Sequence, residues 1–97
     1  MKITITQNDT AKQVALEGRL DTLTAPDLEK ELTPLDGVTD LLIDCKDLEY
    51  ISSAGLRVLL SLQKTMNKQG SMSLSNVRQE VMEVFELTGF TDILHFT

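Results

Sequence analysis

The sequence predicts an α/β domain, a mixed β-sheet covered by helices in the order β-β-α-β-α-β-α-β. Three observations predict it. Apolar and polar residues alternate at Ile3-Thr4-Ile5-Thr6, a short apolar block lies at Leu41-Leu42-Ile43, and stripes of helical period separate the strands from mid-chain onward. Alternation of strands and helices after an opening hairpin favours a parallel or mixed sheet with helices laid over it. With 97 residues, the chain makes one domain over 1–97.

Ile3 and Ile5 mark the first strand, Asn8-Asp9 a turn, and Val14 and Leu16 a returning strand that ends at Gly18. Thr24-Ala25-Pro26-Asp27 reads as a helix start: Thr24 as cap, Pro26 in the first turn, and Asp27 in the acidic capping-box position. Leu28 and Leu32 share a buried face, and Pro34 and Asp36-Gly37 end that helix. Val38 to Cys45 is expected as a central strand buried on both faces. A second helix is expected from Ala54 to Gln69, with Leu56, Leu59, Leu60, Gln63 and Met66 on one stripe. Gly70 supplies its left-handed cap. Met72 and Leu74 mark a further strand. Val77 to Leu87 is the third helix, with Val81, Val84 and Phe85 inward and Gly89 as its stop. Ile93-Leu94 is a last short strand or extended tail.

Composition narrows the partners. The chain is 41% apolar and 25% charged, as in an ordinary globule rather than a disordered segment. Fifteen acidic residues against nine basic ones leave a net charge of −6. Such a surface repels nucleic acid, whose binding rests on Lys and Arg neutralising phosphates, and it disfavours an anionic membrane. No apolar run reaches the length of a membrane span, and Met1-Lys2-Ile3-Thr4 does not open a signal peptide. The lone Cys45 allows no internal disulfide. A cytoplasmic setting is expected.

No catalytic constellation is visible. His95 is the single histidine, near the end of the chain and without clustered ligands. Cys45 lacks a CxxC partner and reads as a buried, inert thiol. There is neither GxxxxGK[ST] nor GxGxxG, and Asp44, Asp47 and Glu49 do not have the spacing of a calcium loop. No enzyme activity, metal or cofactor is expected.

The informative segment is Tyr50-Ile51-Ser52-Ser53-Ala54-Gly55-Leu56-Arg57, where the central strand meets the second helix. Ser53 falls where an N-cap belongs, and a purely structural capping role satisfies that placement. The same position also displays a hydroxyl beside the positive end of a helix dipole, where an added phosphate is tolerated without unfolding. Gly55 leaves room for an approaching partner, and Arg57, one turn on, is available to a phosphate or a partner.

These residues resemble a known family. Asp44-Cys45-Lys46-Asp47-Leu48-Glu49-Tyr50-Ile51-Ser52-Ser53-Ala54-Gly55-Leu56-Arg57-Val58-Leu59-Leu60 is similar to the signature of STAS domains, specifically bacterial anti-sigma factor antagonists. Gly18-Arg19-Leu20-Asp21 with Thr24-Ala25 resembles the family's GxLD segment and first helix, and Phe85-Glu86-Leu87-Thr88-Gly89-Phe90 its third helix and following loop. The resemblance implies a partner-switching role. The unmodified domain would bind an anti-sigma factor that is itself a serine kinase of the histidine-kinase-like ATPase fold, and so free that factor's client. Phosphorylation would release it, and a PP2C-type phosphatase would restore it. The family's phosphorylated residue matches Ser53, and the GxLD aspartate near the kinase contact matches Asp21. Many members carry Asp directly before the phosphorylated serine. Ser52 stands there in this chain and is a second possible acceptor. Asp21, Thr24, Ser52, Ser53, Ala54, Gly55 and Arg57 form the expected partner surface.

Two other functions are weighed against this one. A constitutive scaffold of the same fold, such as a small subunit of a transporter or signalling assembly, would use Ser53 only as a cap. A nucleotide-hydrolysing enzyme would need a phosphate loop that the chain lacks.

Overall fold

The computed structural model describes Met1–Thr97. Strand β1 (Lys2–Asn8) turns through Asp9-Thr10 into β2 (Ala11–Leu20), with Asp9 at φ 60 in the left-handed conformation the tight turn requires. Helix α1 (Ala25–Leu32) leads to β3 (Asp40–Ile51), α2 (Ser53–Asn67) to β4 (Ser71–Ser75), and α3 (Gln79–Leu87) to a short 3₁₀ turn at Phe90–Asp92. The sheet order is β1-β2-β3-β4. β1 pairs antiparallel with β2, whereas β2–β3 and β3–β4 are parallel, so the sheet is mixed as expected.

One sheet face is covered. Val14 and Leu16 of β2, Leu41, Ile43 and Cys45 of β3, and Met72 and Leu74 of β4 point to it. They join a single core with Leu28 and Leu32 of α1, Leu59, Leu62 and Met66 of α2, and Val81 and Phe85 of α3. The alternate residues Thr4, Thr6, Gln13, Ala15, Leu42, Asp44, Ser73 and Ser75 are half-buried or exposed. The central strand is therefore buried on one side only. Leu42 was the residue that made it look apolar throughout.

β3 also runs six residues beyond Cys45, where the period-2 pattern stops. Its inward residues become Cys45, Leu48 and Ile51, three apart. The register explains this spacing: Ala15 pairs with Asp44 but Glu17 with Asp47, and Gly18 with Leu48 but Arg19 with Tyr50. Each shift adds one residue to β3, as a bulge does, and bulges break simple alternation. The same irregularity extends β2 past Gly18, which holds φ +103 inside the strand.

Other boundaries move slightly. α2 begins one residue earlier than expected, and its buried face is wider, adding Gly55, Val58 and Leu62 while Leu60 is only half-buried. Gly70 is not left-handed. It is small because a Cβ there would overlap the Thr39 carbonyl. Ile93-Leu94 is neither the strand nor the extended tail expected: Ile93 is helical (φ −104, ψ −44), and the N–H groups of Ile93 and Leu94 both donate to the Phe90 carbonyl, closing the 3₁₀ turn. The eighth element of the expected order shrinks to one parallel bridge, Leu74 to Phe96, with the Phe96 ring 5.3 Å from that of Phe85.

Candidate functional site

The parallel strands β2 and β3 end together. Leu20 and Ile51 are register partners, and the Ser52 N–H donates to the Leu20 carbonyl at 2.9 Å. β2 then reaches α1 through the turn Asp21–Thr24 and β3 reaches α2 through Ser52 alone, so Asp21–Thr24 and Ser52–Ser53 emerge side by side beyond the carboxyl ends of the strands. That is where parallel sheets generally place their functional groups.

At the first junction the side chains are committed to the turn. Asp21 Oδ1 accepts the Leu23 N–H at 3.0 Å and the Thr24 N–H at 3.1 Å. The Thr24 hydroxyl accepts the Asp21 N–H at 2.8 Å and donates to the Arg19 carbonyl at 2.7 Å. Thr24 thus braces the strand end instead of capping α1 through its side chain, and the capping box expected with Asp27 does not form. Partial burial works to raise the Asp21 pKa. The Thr24 and Leu23 N–H groups, the Thr24 hydroxyl and the Arg19 guanidinium outweigh it and hold the carboxyl below its ordinary value.

Two residues not singled out as partner contacts border this junction. The Arg19 Nε lies 3.7 Å from Asp21 Oδ2, and its guanidinium carbon sits 4.0 Å from the centroid of the Tyr50 ring, a cation–π arrangement. Arg19 and Tyr50 face each other only because of the bulged register. The single tyrosine of the chain, two residues before Ser52, was the one available signal. Leu23, at the tip of the turn, is 85% exposed.

At the second junction the cap moves by one residue. Ser52, not Ser53, is the N-cap: its backbone is extended (φ −101, ψ 176), and its Oγ accepts the Gly55 N–H at a long 3.5 Å. Ser53 is the first helical residue. It is exposed, and its hydroxyl takes no part in the cap. No acidic side chain lies in the first turn of α2 to offset the helix dipole.

Gly55 is buried, contrary to its expected place on the partner surface. A Cβ there would come within 2.8 Å of Leu20 Cγ, 2.9 Å of Ile51 Cγ1 and 3.0 Å of the Leu20 carbonyl. Its missing side chain lets α2 sit on the strand ends and leaves no room outside. Ala54 is half-buried and Arg57 exposed, and both line a shallow groove between α1 and α2 with Thr22, Pro26 and Glu29. The expected surface therefore consists of Ser53, Arg57 and Ala54, flanked by the braced Asp21–Thr24 turn and the Ser52 cap.

Elsewhere, Cys45 is buried at 1% exposure. Burial, with the neighbouring Asp44 charge, pushes its thiol up to about 12, so it stays protonated near neutrality. His95 is exposed, and no three His, Cys, Asp or Glu side chains gather into a metal-type cluster. No helix is long and apolar enough to cross a membrane.

Comparison with known proteins decides the family. The model of the STAS domain matches residues 2–97. This chain belongs to the STAS domain family. The anti-sigma-B factor antagonist of Bacillus subtilis (strain 168) is 35% identical over 96 residues, spanning 97% of this chain and 88% of that protein. Among solved structures, an anti-sigma factor antagonist from Mycobacterium paratuberculosis superposes with a TM-score of 0.87 at 23% identity, covering 98% of this chain and 83% of that one. The Bacillus cell fate determinant SpoIIAA in its phosphorylated form gives a TM-score of 0.77 at 16% identity, over 99% of this chain and 91% of that one. These two likenesses establish a shared fold.

Proposed function

We propose that this STAS domain is a non-enzymatic anti-sigma factor antagonist in a partner-switching pathway, with Ser53 as its switch. The observation that carries the reading is the Ser53 hydroxyl: exposed, free of the cap, and set beside the Asp21 turn where β2 and β3 end together. In the unmodified state the Ser53–Arg57 face of α2 docks on an anti-sigma factor that is a serine kinase of the histidine-kinase-like ATPase fold. The kinase transfers the γ-phosphoryl group of ATP to Ser53 Oγ. ADP leaves, and the hydroxyl proton is lost to the kinase's base or to solvent. A PP2C-type phosphatase reverses the step by hydrolysis, returning the hydroxyl and releasing inorganic phosphate.

The energetics suit a switch. A dianion forced into an interface without a counter-charge is not repaid for its desolvation. A loss of about 3 to 4 kcal/mol weakens binding by a factor of hundreds. Ser52 is a poorer acceptor because its oxygen already serves the helix cap and is only half-exposed.

The test is incubation with ATP and the anti-sigma kinase of the protein's own genome, followed by intact-mass measurement and calorimetry. One added phosphate is expected on the native protein and none on Ser53→Ala. Ser53→Ala is expected to bind as the unmodified protein does, and Ser53→Asp to bind hundreds-fold more weakly. No mass increase, or equal affinity of the two variants, would favour a constitutive scaffold role instead.

A further inference from the structure

We infer that Arg57 is the internal counter-ion of a phosphate on Ser53, so that modification removes a free cation from the docking face as well as adding an anion. This rests on the reading of Ser53 as the modified residue, and it assigns Arg57 a positioning role which that reading leaves open.

Position comes first. Ser53 is the first helical residue of α2 and Arg57 stands four residues later, so the two side chains lie one above the other on the helix surface. Both are exposed. An acidic group N-terminal to a basic one at this spacing is the favourable orientation, and a guanidinium can grip phosphate oxygens in a bidentate manner.

Availability comes second. The ion pairs of the chain engage Arg19 with Asp21 and Arg78 with Asp47, which leaves Arg57 unpaired. α2 carries no Asp or Glu along Ser53–Asn67, so nothing on its own helix competes for the guanidinium. Glu29 lines the same groove from α1 but forms no ion pair with Arg57. Asp21, across the junction, is turned toward its own loop and Arg19. The carboxylates that border the site, Asp21 beyond the adjoining strand end and Glu29 in the groove, act to raise the phosphate's second pKa. Arg57, and more weakly Arg19, act to lower it.

Unmodified, the protein therefore offers an exposed, unpaired arginine to a carboxylate on its partner. Modified, it turns that arginine inward onto its own phosphate. The cation is withdrawn by the event that installs the anion.

The test needs no partner. Phosphoserine is installed genetically at position 53 of the full chain, and the ³¹P resonance is followed through a pH titration in the native sequence, Arg57→Gln and Arg57→Lys. A phosphoserine's second ionisation lies near pH 6, and a neighbouring cation favours the dianion, so the native midpoint should fall about half a unit or more below that of Arg57→Gln. Arg57→Lys should recover part of that fall. Equal midpoints in the native and Arg57→Gln proteins would overturn the inference while leaving Ser53 as the switch. Conversely, failure of a kinase to modify Ser53 would leave this titration unaffected, because the phosphate is placed during synthesis.

Discussion

The two strand–helix junctions at the carboxyl end of the sheet look alike in sequence and differ in the state of their side chains. Both follow a parallel strand with a hydroxyl residue and then a helix. At Asp21–Thr24 the carboxylate and the hydroxyl are spent on backbone groups within the turn. At Ser52–Ser53 one serine makes a single long cap contact and the other makes none. The first junction is built to hold shape. The second leaves a hydroxyl available for chemistry, and its shape is guaranteed by Gly55 packing beneath it.

Substitutions sort along that contrast. The largest effect is expected at Gly55→Ala, where a methyl group must displace Leu20 and Ile51. Such overpacking costs roughly 1–3 kcal/mol, readable as a lower urea midpoint. Thr24→Ala is expected to cost about 1 kcal/mol, since it removes the hydroxyl that ties the Asp21 N–H to the Arg19 carbonyl. Ser52→Ala should cost less, about 0.5 kcal/mol, at the low end for a cap because the contact is long. Ser53→Ala is expected to shift stability by no more than about 0.5 kcal/mol in either direction, as at any exposed site without a partner. If Ser53→Ala proved as costly as Thr24→Ala, the two junctions would be equivalent and the contrast would collapse.

The pH dependence sharpens the same contrast. The folded pKa of Asp21 is depressed, so its charged form adds stability above the unfolded value of 3.8, and that contribution fades as pH falls through the lower folded value. Asp21→Asn keeps an acceptor oxygen but loses the charge. It should be less stable than the native protein at neutral pH, and the gap should close in acid. A thermal melt series between neutral and acid conditions checks this. A gap that stays constant with pH would mean that the charge contributes nothing at the braced junction.

Much of the architecture was legible because it follows local periodicity. Leu28 and Leu32 at helical spacing, Ile3 and Ile5 at strand spacing, and Gly89 as a stop at φ +78 all act within a few residues of themselves. The far half of β3 was not legible, because two bulges moved its inward residues to a spacing of three. Gly55 and Gly70 were read as open or left-handed when each is set by contact with a distant segment, Leu20 and Thr39 respectively. The position of Ser53 was legible to within one residue. Its freedom from the cap was not, since which of two adjacent serines closes the first turn depends on how β3 delivers the chain to the helix.

The amino-acid sequence by itself determined the order of elements, the acidic surface, the buried thiol and the serine-bearing junction, because these depend on side-chain chemistry and short-range period. Only the tertiary structure decided that β2 and β3 end in register, that Arg19 stacks on Tyr50, that Gly55 faces inward and that Ser53 stands clear of its own helix cap. Those outcomes rest on contacts between residues thirty or more positions apart or on bulged strand pairing, which no local pattern encodes.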